Sequence, residues 1–240
     1  MMKYALNPKW LRRLWLAVLV LFVADWLLPV STRFTRACGV VLFAILWMGL
    51  IALVWRQRLV RICLLGFTVM IGIFLALPAR GPADAAKLRK AYVAGLLRYR
   101  YVPFYWGGES PKGIDCSGLI RRGQIDSMFL QGIGTLDAGL VRYSLRVWWN
   151  DCTARDFGEG RGFTTRLFSA PSINALDHSK ILPGDLAVTS DGVHIMAYLG
   201  NNKWIEADPG LEHVAAVFVP AKDNVWFEKP IYIARWNIFR

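Results

Sequence analysis

The chain has 240 residues, of which 55% are hydrophobic and 19% are charged, and its formal net charge is +12. It is more apolar than an ordinary soluble domain, which indicates membrane spans. Residues 1–78 hold +8 of the charge and the remainder +4, so most basic side chains flank apolar segments and a nucleic-acid partner is not expected.

Three apolar stretches open the chain, at about residues 14–30, 37–55 and 62–78. Each is near the short end of the length that crosses a bilayer, and together they predict a membrane anchor of three transmembrane helices over residues 1–78. Asp25 is the one acid in this part. It lies near the end of its stretch, where we expect it to reach the membrane interface or to pair with a basic neighbour.

The basic residues of the anchor predict its orientation. The positive-inside rule places the N-terminal cluster and the connection between the second and third stretches in the cytoplasm. Three crossings then export the C-terminal domain, whereas two crossings would reverse its side. The residues that carry this prediction are Lys3, Lys9, Arg12, Arg13, Arg56, Arg58 and Arg61.

Residues 79–82 form a short linker, and a domain follows over residues 83–240. Residues 83–99 have the composition of an amphipathic helix, residues 102–113 are rich in proline and glycine, and a helix is predicted from about Cys116. Residues from about 131 to 180 are of mixed character. Five short segments rich in β-branched and aromatic residues predict strands at 184–189, 193–199, 203–207, 214–219 and 231–236.

Cys116 is the first candidate for chemistry, because a glycine-rich loop, residues 106–113, delivers it to the start of an apolar helix. Unpaired N–H groups and the helix dipole at that position favour a thiolate and can stabilise an oxyanion. The alternative is that Cys116 is a small buried packing residue and that Asp115, just before it, caps the helix. Local features alone leave both interpretations open.

A cysteine nucleophile needs a base, and the chain has three histidines, His178, His194 and His213. His194 is the best placed, because it shares one face of an alternating strand with Met196 and Tyr198 and follows a turn. A core histidine bonded to the backbone is the alternative. The other two lie in a polar loop and at a strand start, where ordinary surface histidines occur.

Hairpin geometry suggests a third member. A three- or five-residue loop centred on Gly200 would place His194 directly opposite Glu206 on the same face of the sheet. The carboxylate could then hold one imidazole nitrogen and leave the other for the thiol. A two-residue loop would put the two side chains on opposite faces. Asp208 is the fallback for this orienting role.

The run WGGESPKGIDCSGLI at 106–120, followed by LPGDLAV and GVHIMAYLGNNKWIEA, resembles the NlpC family of papain-like cell-wall cysteine peptidases. The resemblance covers about residues 83–240. It implies an α+β, papain-like domain, with N-terminal helices packed on an antiparallel sheet, after the three transmembrane helices. It also implies that Cys116 attacks an amide carbonyl, His194 activates it and protonates the leaving amine, and Glu206 orients His194.

The family typically cleaves peptide bonds in peptidoglycan stem peptides and needs no metal or other cofactor. The resemblance therefore implies a peptidoglycan peptide substrate. The apolar stretches imply a lipid bilayer around the anchor, and with the positive-inside rule they predict a multi-pass protein of the bacterial cytoplasmic membrane whose catalytic domain is on the periplasmic or extracellular side. Substrate contacts are expected from the loop and the helix start. The candidates are Tyr105, Trp106, Asp115 and Ser117.

This sequence departs from the family pattern in three ways. Glu206 stands where a histidine is common, and Phe104 stands where a tyrosine often precedes the WGG motif. The interval from Cys116 to His194 is longer than usual, which implies an insertion around residues 131–180. Tyr101 or Tyr105 could supply the missing hydroxyl. Arg121 and Arg122, one turn past the nucleophile, could bind a substrate carboxylate, but we expect them on a solvated helix face.

Two other functions are compatible with the sequence. A lipid-directed acyltransferase or amidase with the same core would be favoured by an apolar trench beside Cys116 and a cytoplasmic domain. A non-catalytic membrane protein that binds cell-wall peptide would show a blocked or misaligned Cys116.

Overall fold

The computed structural model describes residues 8–81, 84–161 and 163–240. The chain divides into two compact units, Met1–Leu77 and Pro78–Arg240. The first consists of helices, and the second combines helices with an antiparallel sheet.

The first unit contains α1 (Pro8–Leu27), α2 (Arg33–Leu53) and α3 (Arg58–Ala76). Thr32 caps α2 through a capping box with Thr35, which satisfies N–H groups that lack intrahelical acceptors. Indole hydrogen bonds join the helices, from Trp15 to the Leu46 carbonyl at 2.9 Å and from Trp47 to Thr68 at 3.0 Å. No residue of α3 is buried, so its apolar side chains face outward.

Two of these helices, α2 and α3, are long and apolar enough to cross a membrane. The prediction of three transmembrane helices is wrong at α1. That helix contains Arg12, Arg13 and Asp25, and the uncharged stretch between them, residues 14–24, is eleven residues long. Eleven helical residues span only about 16 Å, about half of a bilayer core.

The second unit begins with α4 (Ala85–Leu97), which Asp84 caps. Two short strands, β1 (Glu109–Ser110) and β2 (Gly113–Ile114), form a hairpin before α5 (Cys116–Gly134). The helices α6 (Ala138–Trp149) and α7 (Ala154–Gly158) follow. Helix α4 packs closely on α5 at a pair of glycines, since a Cβ on Gly95 would lie 2.9 Å from the Gly123 carbonyl oxygen.

Six antiparallel strands then form one sheet in the order β3-β8-β4-β5-β6-β7. All five predicted strands are present within two residues of the expected bounds. The remaining strand, β3, lies inside the region taken for a mixed insertion. The strands are β3 (Thr164–Ala170), β4 (Leu186–Thr189), β5 (Ile195–Gly200), β6 (Lys203–Asp208), β7 (His213–Phe218) and β8 (Ile231–Trp236).

Alternation along the strands divides the core into two layers. Ile195, Ala197 and Ile205 belong to the layer that includes the buried side chains of α4 and α5. Met196, Tyr198 and Trp204 point into the other layer, with Phe227 and Ile233. The expected arrangement of helices packed on an antiparallel sheet is confirmed. The candidate site lies at the start of α5, just before the start of β5 and near the end of β6.

Candidate active site

Cys116 is the first residue of α5, and Asp115 is its N-cap. The Asp115 carboxylate accepts hydrogen bonds from the Gly118 amide at 2.6 Å, from the Gly107 amide at 2.9 Å and from the Ser117 hydroxyl at 3.0 Å. These contacts fix both the helix start and the glycine-rich loop. The Cys116 side chain is thereby held at a helix N-terminus with 5% exposure.

Glycines allow the loop to pass over the first turn of α5. A Cβ on Gly118 would overlap the Gly108 carbonyl oxygen, and a Cβ on Gly108 would overlap the Gly113 carbonyl. The two backbones therefore approach more closely than any side chain permits. This close packing explains the glycines on either side of the DC pair.

The turn between β5 and β6 differs from the predicted one. It consists of two residues, Asn201 and Asn202, both with positive φ, so Gly200 pairs with Lys203. A register shift at Leu199 then pairs Tyr198 with Trp204. The prediction that His194 lies directly opposite Glu206 is wrong, because in this register Met196 takes that place.

The same bulge nevertheless keeps His194 and Glu206 on one face. A two-residue turn alone would place them on opposite faces, but the extra residue Leu199 shifts the alternation by one. His194 lies diagonally across from Glu206, and its Nε2 is 2.7 Å from the Glu206 carboxylate. Both side chains are buried, with His194 2% exposed.

Glu206 has a second partner that the sequence did not reveal. Its other oxygen accepts a hydrogen bond from the Asn224 side-chain amide at 2.5 Å. Asp208, the fallback orienter, is occupied elsewhere, since it accepts from the Trp226 indole at 3.3 Å and from the Gly210 amide at 2.8 Å. The carboxylate that contacts His194 is therefore that of Glu206.

His194 also contacts Cys116. Glu206 occupies Nε2, which leaves Nδ1 for the thiol. Burial alone would lower the pKa of His194, but hydrogen bonds to Cys116 and Glu206 outweigh it and raise that pKa to about 9. At neutral pH the imidazole is consequently charged. The Cys116 sulfur also lies 3.9 Å from the Val193 carbonyl oxygen, in the turn just before His194.

Trp226 covers one side of the imidazole. Its ring stacks on that of His194 with centroids 4.2 Å apart and planes 20° from parallel. Lys229 lies over the same indole at 4.7 Å and pairs with Asp191 at 3.1 Å. Asn224 and Trp226 belong to the connection between β7 and β8, where the sequence shows no strand or motif. The only signal for a role in the site was an aromatic residue, Trp226, within a polar turn.

The predicted substrate residues divide into two groups. Tyr105 and Trp106 are exposed on the loop, and Phe104 packs edge-on against Trp106 at 5.1 Å. Asp115 and Ser117 are bonded to each other and to the helix start, so their polar atoms serve the local fold. Tyr101 stacks on His213 at 6.1 Å.

Arg121 is buried, contrary to the prediction of a solvated face. Its guanidinium lies 3.2 Å from Glu109 and 3.4 Å from Asp151, and it donates to the Cys152 carbonyl. Glu109 belongs to the glycine-rich loop, whereas Asp151 follows α6. The arginine therefore ties the loop to the insertion.

The other two histidines lie outside this arrangement. The His178 Nε2 accepts a hydrogen bond from the Trp204 indole at 3.1 Å, and the His213 Nδ1 contacts the Leu211 carbonyl at 2.6 Å. Among the residues that the structure describes, no group of three or more His, Cys, Asp or Glu side chains could hold a metal ion.

No protein-family model and no curated protein matches the chain. Solved structures do resemble it. NlpC1 from Trichomonas vaginalis is 17% identical with a TM-score of 0.41, over 66% of this chain and 46% of its own, so the chain spans about half of that protein. The P60 domain of an antigen from M. avium subspecies paratuberculosis is 20% identical with a TM-score of 0.40, over 65% and 98% of the two chains.

The peptidoglycan hydrolase RipB from Mycobacterium tuberculosis is also 20% identical, with a TM-score of 0.39 over 65% of this chain and 67% of its own. The fold and the site define a class: an α+β domain in which a cysteine at a helix start meets a histidine held by a carboxylate on the sheet. Within that class, the chain resembles the NlpC-type proteins.

Proposed function

We propose that this protein is a membrane-anchored cysteine peptidase that hydrolyses amide bonds in peptidoglycan stem peptides. The observation that carries the proposal is the buried His194–Glu206 contact of 2.7 Å beside a cysteine at the start of α5. A nucleophile, a base and an orienting group in hydrogen-bonding sequence are the arrangement that covalent acyl transfer requires.

The chemistry follows from these positions. The Cys116 thiolate attacks the amide carbonyl carbon and forms a C–S bond, and the carbonyl oxygen becomes an oxyanion that the unpaired N–H groups at the start of α5 stabilise. The imidazolium of His194 then donates its proton to the nitrogen as the C–N bond breaks. Water, activated by the neutral imidazole, hydrolyses the thioester and releases the carboxylate product.

The substrate class rests on the sequence motifs around Cys116 and His194 rather than on the geometry alone. Exposed Tyr105 and Trp106 next to the helix start offer aromatic area for a peptide or sugar. Neither the proposed hydrolysis nor this aromatic contact requires a metal ion. Peptidoglycan stem peptides are therefore the substrate that we propose.

The anchor in this proposal consists of α2 and α3, whose apolar side chains are exposed. We place the α2–α3 connection, with its basic residues Arg56, Arg58 and Arg61, in the cytoplasm, because a cell-wall substrate requires the chain after α3 to lie on the other side. The chain after α3 then lies outside the membrane, on the side where the cell wall is.

The test is to incubate the purified full chain in detergent with defined muropeptides and to identify the products by mass spectrometry. We expect cleavage that Cys116→Ala abolishes, while Cys152→Ala, a change at another free cysteine, retains it. A rate that is equal in the Cys116→Ala variant and the unmodified protein would defeat the proposal.

A second candidate, a lipid-directed acyltransferase or amidase, is favoured by one observation. A largely apolar cavity of about 640 Å³ lies beside the site and is bounded by Leu211, Val217, Val225 and Trp226. Because Trp226 also stacks on His194, an acyl chain there would be close to the base. Cys116-dependent turnover of acylated lipids, with none of muropeptides, would select this function instead.

A further inference from the structure

The second unit has an exposed apolar surface at the end of α5, far from the site. Phe129 and Ile133 are one turn apart on α5, and Leu136 follows the end of that helix; the three side chains are 42%, 47% and 61% exposed. Leu130, beside them, is also exposed. Apolar side chains clustered on one helix end are a feature of surfaces that bind a partner or a membrane.

A groove that contains two arginines adjoins this surface. Leu136 precedes Asp137, the N-cap of α6, and Asp137 borders a cavity of about 390 Å³ together with Tyr143, Arg142 and Arg146. Arg142 and Arg146 are four residues apart on α6 and therefore point the same way. Arginine side chains in such a groove favour an anionic group, above all a phosphate.

The course of the backbone suggests which partner carries that phosphate. The second candidate span ends at Ala76, and the second unit begins at Pro78. Ala79 then packs against the start of α6, where a Cβ on Gly139 would meet the Ala79 Cβ at 2.5 Å, and the Arg80 amide is 3.4 Å from the Asp137 carboxylate. Three residues cover at most about 11 Å, so a bilayer crossed by α3 would be close to this corner.

We propose that the corner between α5 and α6 is a second membrane contact, which rests on an anionic bilayer surface. The apolar side chains at the end of α5 would enter the interface, and Arg142 and Arg146 would bind lipid phosphates, as amphipathic interfacial elements do. This inference rests on the proposed anchoring of the chain by α2 and α3.

The distance between Cys116 and this corner bears on the substrate. Cys116 and Ile133 are 17 residues apart on the same helix, which separates the nucleophile from the contact by about 25 Å. Such a distance favours a polymeric or water-soluble substrate over an acyl chain that stays in the bilayer. It therefore supports peptidoglycan peptides over the lipid-directed alternative.

The experiment uses the full chain in vesicles of phosphatidylglycerol that contain a photoactivatable phospholipid, with adducts mapped by mass spectrometry. We expect adducts within residues 129–136 as well as within α2 and α3. The double variant Ile133→Ser/Leu136→Ser should reduce the adducts within residues 129–136 at least fivefold and leave those within α2 and α3 unchanged. Phe218→Ser, at a side chain 60% exposed on β7, is the matched control and should change neither.

Arg146→Glu in the same vesicles should also reduce the adducts within residues 129–136, and inorganic phosphate at millimolar concentration should not displace them. Adducts in α2 and α3 with none in 129–136 would overturn this inference and leave the anchor intact. Adducts in 129–136 without any in α2 and α3 would refute the anchor and, because the corner would then be the first membrane contact and not a second one, would overturn the inference as well. Crosslinks between copies of the chain through 129–136, in place of lipid adducts, would overturn it in favour of a dimer.

Discussion

His194 lies between two groups that favour its charged form, the Glu206 carboxylate and the Cys116 sulfur. Together they raise the pKa of His194 to about 9 against the cost of burial. Because this pKa in the folded chain exceeds the usual value near 6.5, the interaction stabilises the fold fully below about pH 6.5 and is lost as pH rises through 9. In the proposed mechanism, the charged imidazole is also the acid that protonates the leaving amine.

Glu206→Gln tests this electrostatic role at nearly constant shape. Removing the carboxylate charge should lower the pKa of His194, so the alkaline fall in kcat/KM for muropeptide cleavage should move from near pH 9 to lower pH. The rate near neutral pH should drop by roughly 10²-fold or more. Glu159→Gln, at a surface carboxylate that pairs with Arg161, is the control. An unchanged alkaline limb would show that Glu206 does not set the charge of His194.

Asn224 is a positioning residue in this arrangement, since it acts on the imidazole through Glu206. Asn224→Leu keeps the size but leaves a fully buried carboxylate oxygen without its donor. We expect a loss of about 2 kcal/mol in the free energy of unfolding and slower alkylation of Cys116 by iodoacetamide at pH 7, with rates converging at high pH.

The matched control is Asn237→Leu, whose side chain accepts a hydrogen bond from Thr165 at 2.6 Å on an exposed part of the sheet. It should leave the alkylation profile unchanged. If the Asn224 variant alkylates with the unmodified pH profile, its contact with Glu206 is merely structural.

At the scale of secondary structure, α5 and the β5–β6 hairpin bring the reacting groups together. The helix start is fixed by Asp115 and by the close approach of the glycine-rich loop, and the hairpin is set by one extra residue, Leu199. The helix start and the bulge are both backbone features. The side chains of Cys116, His194 and Glu206 meet only because the backbone keeps these two conformations.

Gly118→Ala tests the helix start. The added Cβ would overlap the Gly108 carbonyl oxygen, so the loop must move, and we expect kcat/KM to fall at least tenfold with a stability loss of about 1–3 kcal/mol. Gly134→Ala, at the other end of α5, meets nothing within 4 Å. That change should be neutral or stabilise the fold by up to about 1 kcal/mol in urea unfolding. Equal activity of the two variants would contradict the tight contact.

At the scale of the whole molecule, the proposed function depends on the orientation of the candidate spans, which would decide on which side of a membrane the second unit lies. Two candidate spans, α2 and α3, offer two orientations. The arginines of their connection favour a cytoplasmic loop, whereas Arg12, Arg13 and Lys9 before α2 favour the opposite orientation. The proposed wall substrate requires the first.

Labelling of intact cells decides between the two orientations. Lys112→Cys places a thiol on the exposed loop before α5, and a membrane-impermeant maleimide should label it without lysis. Cys116→Ala and Cys152→Ala in the same chain remove the native thiols of the second unit, and that double variant without Lys112→Cys gives the background labelling. Labelling only after lysis would place the unit in the cytoplasm and rule out wall hydrolysis.

Local patterns in the chain predicted most of the main sheet and the position of the candidate nucleophile. Strand alternation and turn residues located five of the six strands of the main sheet, because local β pattern and turn chemistry are strong where one strand follows another at short intervals. The glycine-rich loop and the helix start at Cys116 were equally local. The choice of His194 among three histidines came from the same kind of pattern.

Tertiary structure decided the rest. A two-residue turn alone would place His194 and Glu206 on opposite faces of the sheet, and the bulge at Leu199 returns them to one face. The periodicity of the sequence does not predict a single extra residue. Asn224 and Trp226 reach His194 and Glu206 across the sheet from a connection without motif, and Arg121 is buried only because Glu109 and Asp151 meet it from two distant segments. Contacts between residues far apart in the chain depend on how the elements pack, which the order of residues within each element does not specify.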